Sequence, residues 1–545
     1  MALATNDRKV RGAYFTPNYI AAWLCNWAIR GASEKVMDPS LGDGVFLEAA
    51  ANHLKHLAAK PKRQIFGCEL DPDSHRVAAT TLAELFDVPA TNLSCSDFFS
   101  LQPTPTSMVD VLLGNPPYIR YQRFSGESRR RALQAASVAG VKLNQLSSAW
   151  APFLVHACEF LKPGGRMAMV VPFELTYANY ARPVLDHLLS RFQSIEIRTF
   201  QQRIFQDISE DTVLLMAEGH GQPCERLEIL GYQNATALGN GPAYISTVVD
   251  IEAWRSGGLR LSSALLPHET QELYLELSRH PNLARLGSFA TIDIGYVSGN
   301  NSYFHLGEDA LARFKIPPES LKPTIINSRD LAGLSYTQSD HSTNLTTGKP
   351  SWLFYPSQED LGDAERAYVD FGEALGVQTA YKCRTRSPWW RVPFVSPSDA
   401  VLTVMSNLSP RMVFNDIGAV VANSLLTVRF KNNQARELNQ RQVAAFYTSL
   451  TQLSAEIEGH GLGGGALKLE PGEAKQLLLP TGAVLGKIRQ SLVDEIDRAL
   501  RRGELDEAVA LGDRYVLQDA LGFTTAQVAE IKHGVLLLRN RRRGK

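Results

Sequence analysis

Between residues 34 and 220 the chain alternates short apolar runs with stretches whose apolar residues recur every three to four positions. The runs Glu34–Met37, Gln64–Gly67, Val109–Leu113, Arg166–Val171, Ser194–Phe200 and Thr212–Met216 predict strands. Val45–His56, Pro72–Leu85 and Ala149–Leu161 predict the helices between them. Such alternation specifies an α/β fold: an open, mostly parallel sheet with helices on both faces. Ligands of these sheets bind at the carboxyl ends of the strands. Asp38, Glu69, Asp97, Asn115 and Pro172 stand at those ends.

After residue 220 the alternation stops. The pattern divides the chain into a first domain at 1–220, a mixed connection at 221–265, an irregular region at 266–435 rich in Gly, Pro, Asn and aromatic residues, and a helical region at 436–545. Glu495–Arg502, Leu505–Leu521 and Thr525–Arg539 predict amphipathic helices, and the closing RNRRRGK reads as a flexible basic tail. A chain of 545 residues is too long for one ordinary domain.

Composition narrows the class. Apolar content of 44% and charged content of 21% describe a globular protein. No apolar run is long enough to span a membrane, and MALATNDRKV lacks a signal-peptide core, so a cytoplasmic chain is expected. The six cysteines are scattered without a CxxC pair, which points to reduced thiols and to no metal site. A formal net charge of +0 leaves nucleic-acid binding open, because local clusters of Lys and Arg decide it.

The stretch VMDPSLGDGVF places Asp38, Pro39, Gly42 and Gly44 between a predicted strand and a predicted helix. Glycines there let backbone N–H groups approach a ligand, and the helix start adds positive potential. Glu69 and Leu70 end the second strand, where an acid grips ribose hydroxyls in nucleotide-binding folds. Asp97 and Phe98 end a third, suited to an adenine amino group and ring. Asp71 and Asp73 read as helix caps.

VLLGNPPYIR sets a buried strand against Asn115, Pro116, Pro117 and Tyr118. The prolines stiffen the turn and remove donors, leaving carbonyl acceptors beside a flat ring. Such acceptors suit an exocyclic amine whose lone pair must be drawn out of ring conjugation. The Asn115 side-chain carbonyl and the Pro116 backbone carbonyl are the expected pair, preorganised by the turn.

DPSLGDG, GCELD, SDF and NPPY, in this order and spacing, resemble the adenine-N6 DNA methyltransferases of the γ group, as found in type II restriction–modification. YFTP, with Tyr14, Thr16 and Pro17, matches the family element that closes over the methionine end of the cofactor. Leu41 departs from the Cys or Ala often found there. The resemblance implies the seven-stranded, Rossmann-like methyltransferase fold, S-adenosylmethionine as cofactor, double-stranded DNA as substrate, and a flipped-out target base. It assigns Tyr118 to stacking and Phe205, before the last strand, to the opposite face of the base. A C-terminal α+β target-recognition region with a helical end follows from the same resemblance, which leaves open a separately encoded restriction endonuclease as partner or an orphan role in epigenetic marking. No acidic–acidic–Lys nuclease constellation is present in the sequence, so methylation without cleavage is expected.

DNA reading requires phosphate contacts and base-edge contacts. YKCRTRSPWWRVP supplies Lys382, Arg384, Arg386, Trp389, Trp390 and Arg391. Arg411 in SNLSPRMVFN is a second source, and Arg120 and Arg123 follow the catalytic turn directly. Two other functions fit NPPY less well. Protein-glutamine or RNA methyltransferases bearing it are generally shorter and lack the long C-terminal region. A non-catalytic specificity protein would not need Asp38, Glu69, Asn115 and Tyr118 together.

Overall fold

The computed structural model describes residues 16–202, 204–205, 211–239, 241–256, 260–356, 361–393, 395–431, 435–462 and 464–544. The chain forms two compact units, Met1–His268 with Asn540–Lys545, and Glu269–Arg539.

The first unit is built on one sheet. Its strands are β1 (Val36–Asp38), β2 (Ile65–Glu69), β3 (Leu93–Cys95), β4 (Val109–Gly114), β5 (Leu161–Pro172), β6 (Phe192–Phe200), β7 (Thr212–His220), β8 (Arg226–Tyr232) and β9 (Ile245–Val248). They lie in the order β3-β2-β1-β4-β5-β7-β6-β8-β9. β1 pairs in parallel with both β2 and β4, and β4 pairs in parallel with β5. β7 inserts antiparallel between β5 and β6. The first seven strands thus have the expected methyltransferase arrangement. β8 and β9 extend its edge, so residues 226–248, read from sequence as a connection, belong to the sheet.

The helices follow from their apolar spacing. In α1 (Asn18–Ala28) the buried residues Ile20, Ala21, Leu24, Cys25 and Ala28 lie three or four apart, on one face. α2 (Val45–His56) starts after Gly44, whose φ of 93° is left-handed, and buries Phe46, Leu47, Ala50, Ala51 and Leu54. α3 (Pro72–Phe86) has Pro72 in its first turn and Asp71 as its cap, accepting from the Ser74 N–H. These faces share a core with Val36, Ile65, Val111 and Leu113 of the sheet. Burying about four such side chains per helix contributes on the order of 6–12 kcal/mol each before conformational entropy is subtracted.

In the second unit, the segments before and after residue 436 do not separate. A five-stranded sheet contains Ala290–Ile294, Leu425–Phe430, Ala400–Thr403, Met412–Asn415 and Ser335–Tyr336. Its apolar side chains, among them Ile292, Leu402, Met412 and Val428, share one core with Val443, Ile496 and Leu500 of the later helices. A four-stranded sheet, including Leu321–Ile325 and Trp352–Phe354, packs in an aromatic cluster with Tyr303, Phe304, Tyr368 and Trp390. The basic end is not a flexible tail. It is helical through Arg543, and Arg541 is buried, its guanidinium 3.6 Å from the Phe173 ring centroid and 2.9 Å from Asp211.

Candidate active site

Sheet register builds the site. Val36 stands opposite Val111 and Met37 opposite Leu112, which places Asp38 beside the end of β4. There a Cβ on Gly114 would lie 2.6 Å from Asp38 Oδ1, and Gly114 has a φ of +149°. Only glycine satisfies both demands, so the glycine before Asn115 exists because a carboxylate lies against it. Gly67 of β2 is similarly tight, since a Cβ would meet Leu41 at 2.6 Å and Leu47 at 2.9 Å. Leu41, the family departure, is therefore a packing residue.

Asp38 is buried, and its Oδ1 accepts the Ser40 N–H at 2.9 Å. Burial pushes its pKa up to about 8; the Ser40 N–H opposes this and the nearby Glu69 carboxylate adds to it. Glu69 braces the glycine loop. One oxygen accepts the Gly42 N–H at 2.9 Å and the other the Asp71 N–H at 2.8 Å. Gly42 has a φ of +52°, and a side chain there would meet nothing within 4 Å. Leu70, next to Glu69, is 65% exposed. A carboxylate-braced glycine cradle, an open helix start and an exposed aliphatic side chain fit an adenosyl cofactor.

Asn115 joins this loop to the N-terminal element. Its Nδ2 donates to Thr16 Oγ1 at 3.3 Å. Its backbone carbonyl accepts from Ser40 Oγ at 3.1 Å. Ser40 escaped the sequence reading because nothing in SLGDG marks which hydroxyl will reach a turn 75 residues away. Pro17 continues from Thr16 into α1, its carbonyl accepting the N–H groups of Ile20 and Ala21 at 2.9 and 3.2 Å. Tyr14 lies outside the described residues. Pro39 and Pro116 are buried, and Pro117 is half-buried. Tyr118 is buried, and its hydroxyl donates to the Val170 carbonyl of β5 at 3.0 Å, which fixes the ring.

Of two further aromatic residues expected at the site, Phe98 is used in packing. Phe98 is buried, its ring centroid 4.8 to 5.2 Å from those of His156, Phe153 and Phe160. The ring partners Phe153 and His156 on the helix Trp150–Cys158, and Phe160 beyond it, could not be foreseen from SDFF, and they correct the expectation of a free stacking face. Asp97 caps the turn after β3, accepting the Phe99 N–H at 3.1 Å. Phe205 is 6% exposed and shares the core that holds Phe200 and Ile204.

The basic residues divide. Arg120 and Arg123 are exposed just beyond the turn. Lys382 and Arg384 are exposed beside Tyr381, 5.6 and 5.3 Å from its ring centroid. Arg391 is half-buried, 5.7 Å from the Trp390 ring centroid. Arg386 instead donates to the carbonyls of Ser298 and Val297 at 2.7 and 2.6 Å. Arg411 donates to those of Leu331, Ala332 and Gly333 at 3.1, 2.9 and 3.3 Å. These two hold loops together rather than standing free for phosphate. Trp390 is buried, and Trp389 donates its indole N–H to Glu373 at 3.0 Å, so neither ring projects for groove insertion. Leu361, Arg366, Ser387, Pro388 and Trp390 line a hollow of about 450 Å³.

Comparison with known proteins finds matches for both units. Residues 1–196 match the family model described as N-6 DNA Methylase. Residues 260–517 match that of the C-terminal domain of type II methyltransferase M.Eco57I. The chain is 20% identical to type II methyltransferase M.AccI of Acinetobacter calcoaceticus over 91% of this chain and 89% of that protein. It is 21% identical to M.XamI of Xanthomonas campestris pv. amaranthicola over 86% and 85%. The DNA complex of the type IIL restriction-modification enzyme MmeI has the same fold, with a TM-score of 0.58 at 13% identity over 94% of this chain and 73% of that one. With both units matched, the chain is similar over most of its length to DNA methyltransferases of type II restriction–modification systems.

Proposed function

We propose that the chain is a site-specific adenine-N6 methyltransferase that acts on a flipped-out base of double-stranded DNA with S-adenosylmethionine as donor. The observation that carries this reading is the placement of Asn115, at the end of β4 beside Asp38, with its amide nitrogen held by Thr16. Asp38, Gly42, Gly44, Glu69 and Leu70 would hold the cofactor, which supplies an electrophilic methyl group when bound. Asn115 Oδ1 and the Pro116 carbonyl accept from the two N–H groups of the target amine. They draw its lone pair out of conjugation and bear the positive charge that develops there. No covalent intermediate with the protein is needed, and holding the reactants together supplies much of the rate. Tyr118, anchored on Val170, offers a stacking face for the base, and Phe205 walls the other side. Lys382, Arg384, Arg120 and Arg123 are proposed phosphate contacts. In the cell the enzyme works in the cytoplasm, either alongside a separately encoded restriction endonuclease or as an orphan epigenetic methylase.

Mass spectrometry of digested DNA, after incubation with isotope-labelled S-adenosylmethionine, tests this. The wild-type protein should yield labelled N6-methyladenine. Asn115→Ala should lower the rate at least about 100-fold, the scale of losing one preorganised polar contact to the transition state. Its affinity for S-adenosylhomocysteine should stay within about twofold. Label in N4-methylcytosine alone, or no label in DNA, would overturn the reading.

A further inference from the structure

We infer that Thr16 and Ser40 act as a two-point clamp on Asn115, making both of them positioning residues for methyl transfer; the inference rests on the function proposed above. A side-chain amide has two ends of nearly equal size, and only the carbonyl end can accept from a target N–H. Thr16 is 4% exposed, and its hydroxyl holds the Asn115 Nδ2 at 3.3 Å. With the nitrogen edge held there, Oδ1 occupies the opposite edge of the amide. Ser40 Oγ donates to the Asn115 backbone carbonyl at 3.1 Å, which restrains the peptide that carries the side chain. The two contacts fix separate degrees of freedom of one residue: the plane of the amide and the plane of the peptide behind it.

The anchors of the clamp explain why it is rigid. Thr16 precedes Pro17, from which α1 starts, and the face of that helix bearing Ile20, Ala21 and Leu24 is fully buried. Ser40 lies two residues after Asp38, which holds its N–H at 2.9 Å. Both anchors belong to the segments assigned to the cofactor. The acceptor for the target amine is therefore set by the same loop that receives the methyl donor. Thr16 acts on the reaction through Asn115, which distinguishes it from a residue whose only task is to hold the cofactor.

The experiment measures single-turnover methylation of unmethylated genomic DNA with tritium-labelled S-adenosylmethionine. Calorimetric affinity for S-adenosylhomocysteine and the thermal unfolding midpoint are measured in parallel. Thr16→Val and Ser40→Ala should each slow transfer about tenfold, the scale of one hydrogen bond. The affinity for S-adenosylhomocysteine should stay within about twofold. Thr16→Ser, which keeps the hydroxyl, should restore most of the rate. Transfer at the wild-type rate in Thr16→Val, or a loss of cofactor affinity as large as the loss of rate, overturns the clamp. So does failure of Thr16→Ser to exceed Thr16→Val; where the unfolding midpoint shows that Thr16→Val does not fold, Ser40→Ala decides, and transfer at the wild-type rate in it overturns the clamp. If the wild-type protein itself transfers no label to adenine, the proposed function fails, and that outcome is distinct from variants that match an active wild type.

Discussion

In the first unit the carboxylates of Asp38 and Glu69 accept backbone N–H groups of the loop that they border, at 2.8 to 2.9 Å. In the second unit the guanidinium groups of Arg386 and Arg411 donate to backbone carbonyls nearly 80 to 90 residues away. Both are ionisable side chains bonded to main chain, yet the outcome differs. The acids brace a cradle at the ends of parallel strands, where a ligand binds. The arginines staple loops that have no ladder of their own, and their charge is taken up in doing so. Charge type and density in a sequence therefore say less about nucleic-acid contact than where the nearest uncapped carbonyls fall.

The largest expected effect on this comparison comes from Asp38. Its folded pKa is about 8, against an ordinary value of 3.8. Between those values the native protein keeps a proton that the unfolded chain has lost. The unfolded state then binds fewer protons, so stability falls as pH rises through this window and levels off above about pH 8. At one unit per 1.36 kcal/mol, the contribution reaches several kcal/mol at most. Buried His156, His187 and His305, whose pKa values are lowered by burial, act in the opposite direction at acid pH. The difference between wild type and Asp38→Asn isolates the carboxyl. Urea unfolding at pH 5, 6.5 and 8 should show Asp38→Asn gaining stability relative to wild type as pH rises. A difference independent of pH would show that Asp38 is ionised throughout.

The same contrast explains what was legible in the sequence. β1, β2 and β4 were found within a residue or two because a strand buried on both faces is a continuous apolar run. Val45–His56 was found to the residue because Gly44 and the apolar spacing mark its start. The site residues at strand ends followed from topology. Ser40 did not, because its partner is fixed by the pairing of β1 with β4 and not by local sequence. Phe98 was misread because an aromatic residue after an acid looks alike whether it stacks on a ligand or on Phe153. β8 and β9 were missed because Arg226, Glu228 and Ser246 interrupt their apolar pattern, as suits the exposed edge of a sheet.

Arg411 gives the next effect in size. Arg411→Ala leaves the carbonyls of Leu331, Ala332 and Gly333 without this donor and should destabilise the second unit by about 1–3 kcal/mol. Arg411→Lys should recover little of that loss, since an ammonium group cannot span three carbonyls as a planar fork does. Denaturant unfolding measures both. Wild-type stability in Arg411→Ala would return this side chain to the set available for DNA.

The smallest effect sharpens the comparison most. Lys382 and Arg384 are exposed, and Tyr381 beside them is 64% exposed. Their charged groups lie beside this exposed ring and outside the core, so Lys382→Ala with Arg384→Ala should leave the unfolding midpoint unchanged. If both meet phosphates, DNA affinity should fall by about three- to tenfold. The slope of log K against log salt should then shrink by up to about 2, since each duplex phosphate contact contributes roughly 0.9. Arg386→Ala should do the reverse, lowering the midpoint while leaving the salt slope as it was, because its donors are held by Ser298 and Val297. Fluorescence-anisotropy titrations of a duplex carrying the methylated site, at several salt concentrations, give the slope for each variant. If Arg386→Ala flattens the slope and the Lys382/Arg384 pair does not, phosphate binding lies on the buried side of this loop, and the division between staples and contacts is drawn in the wrong place.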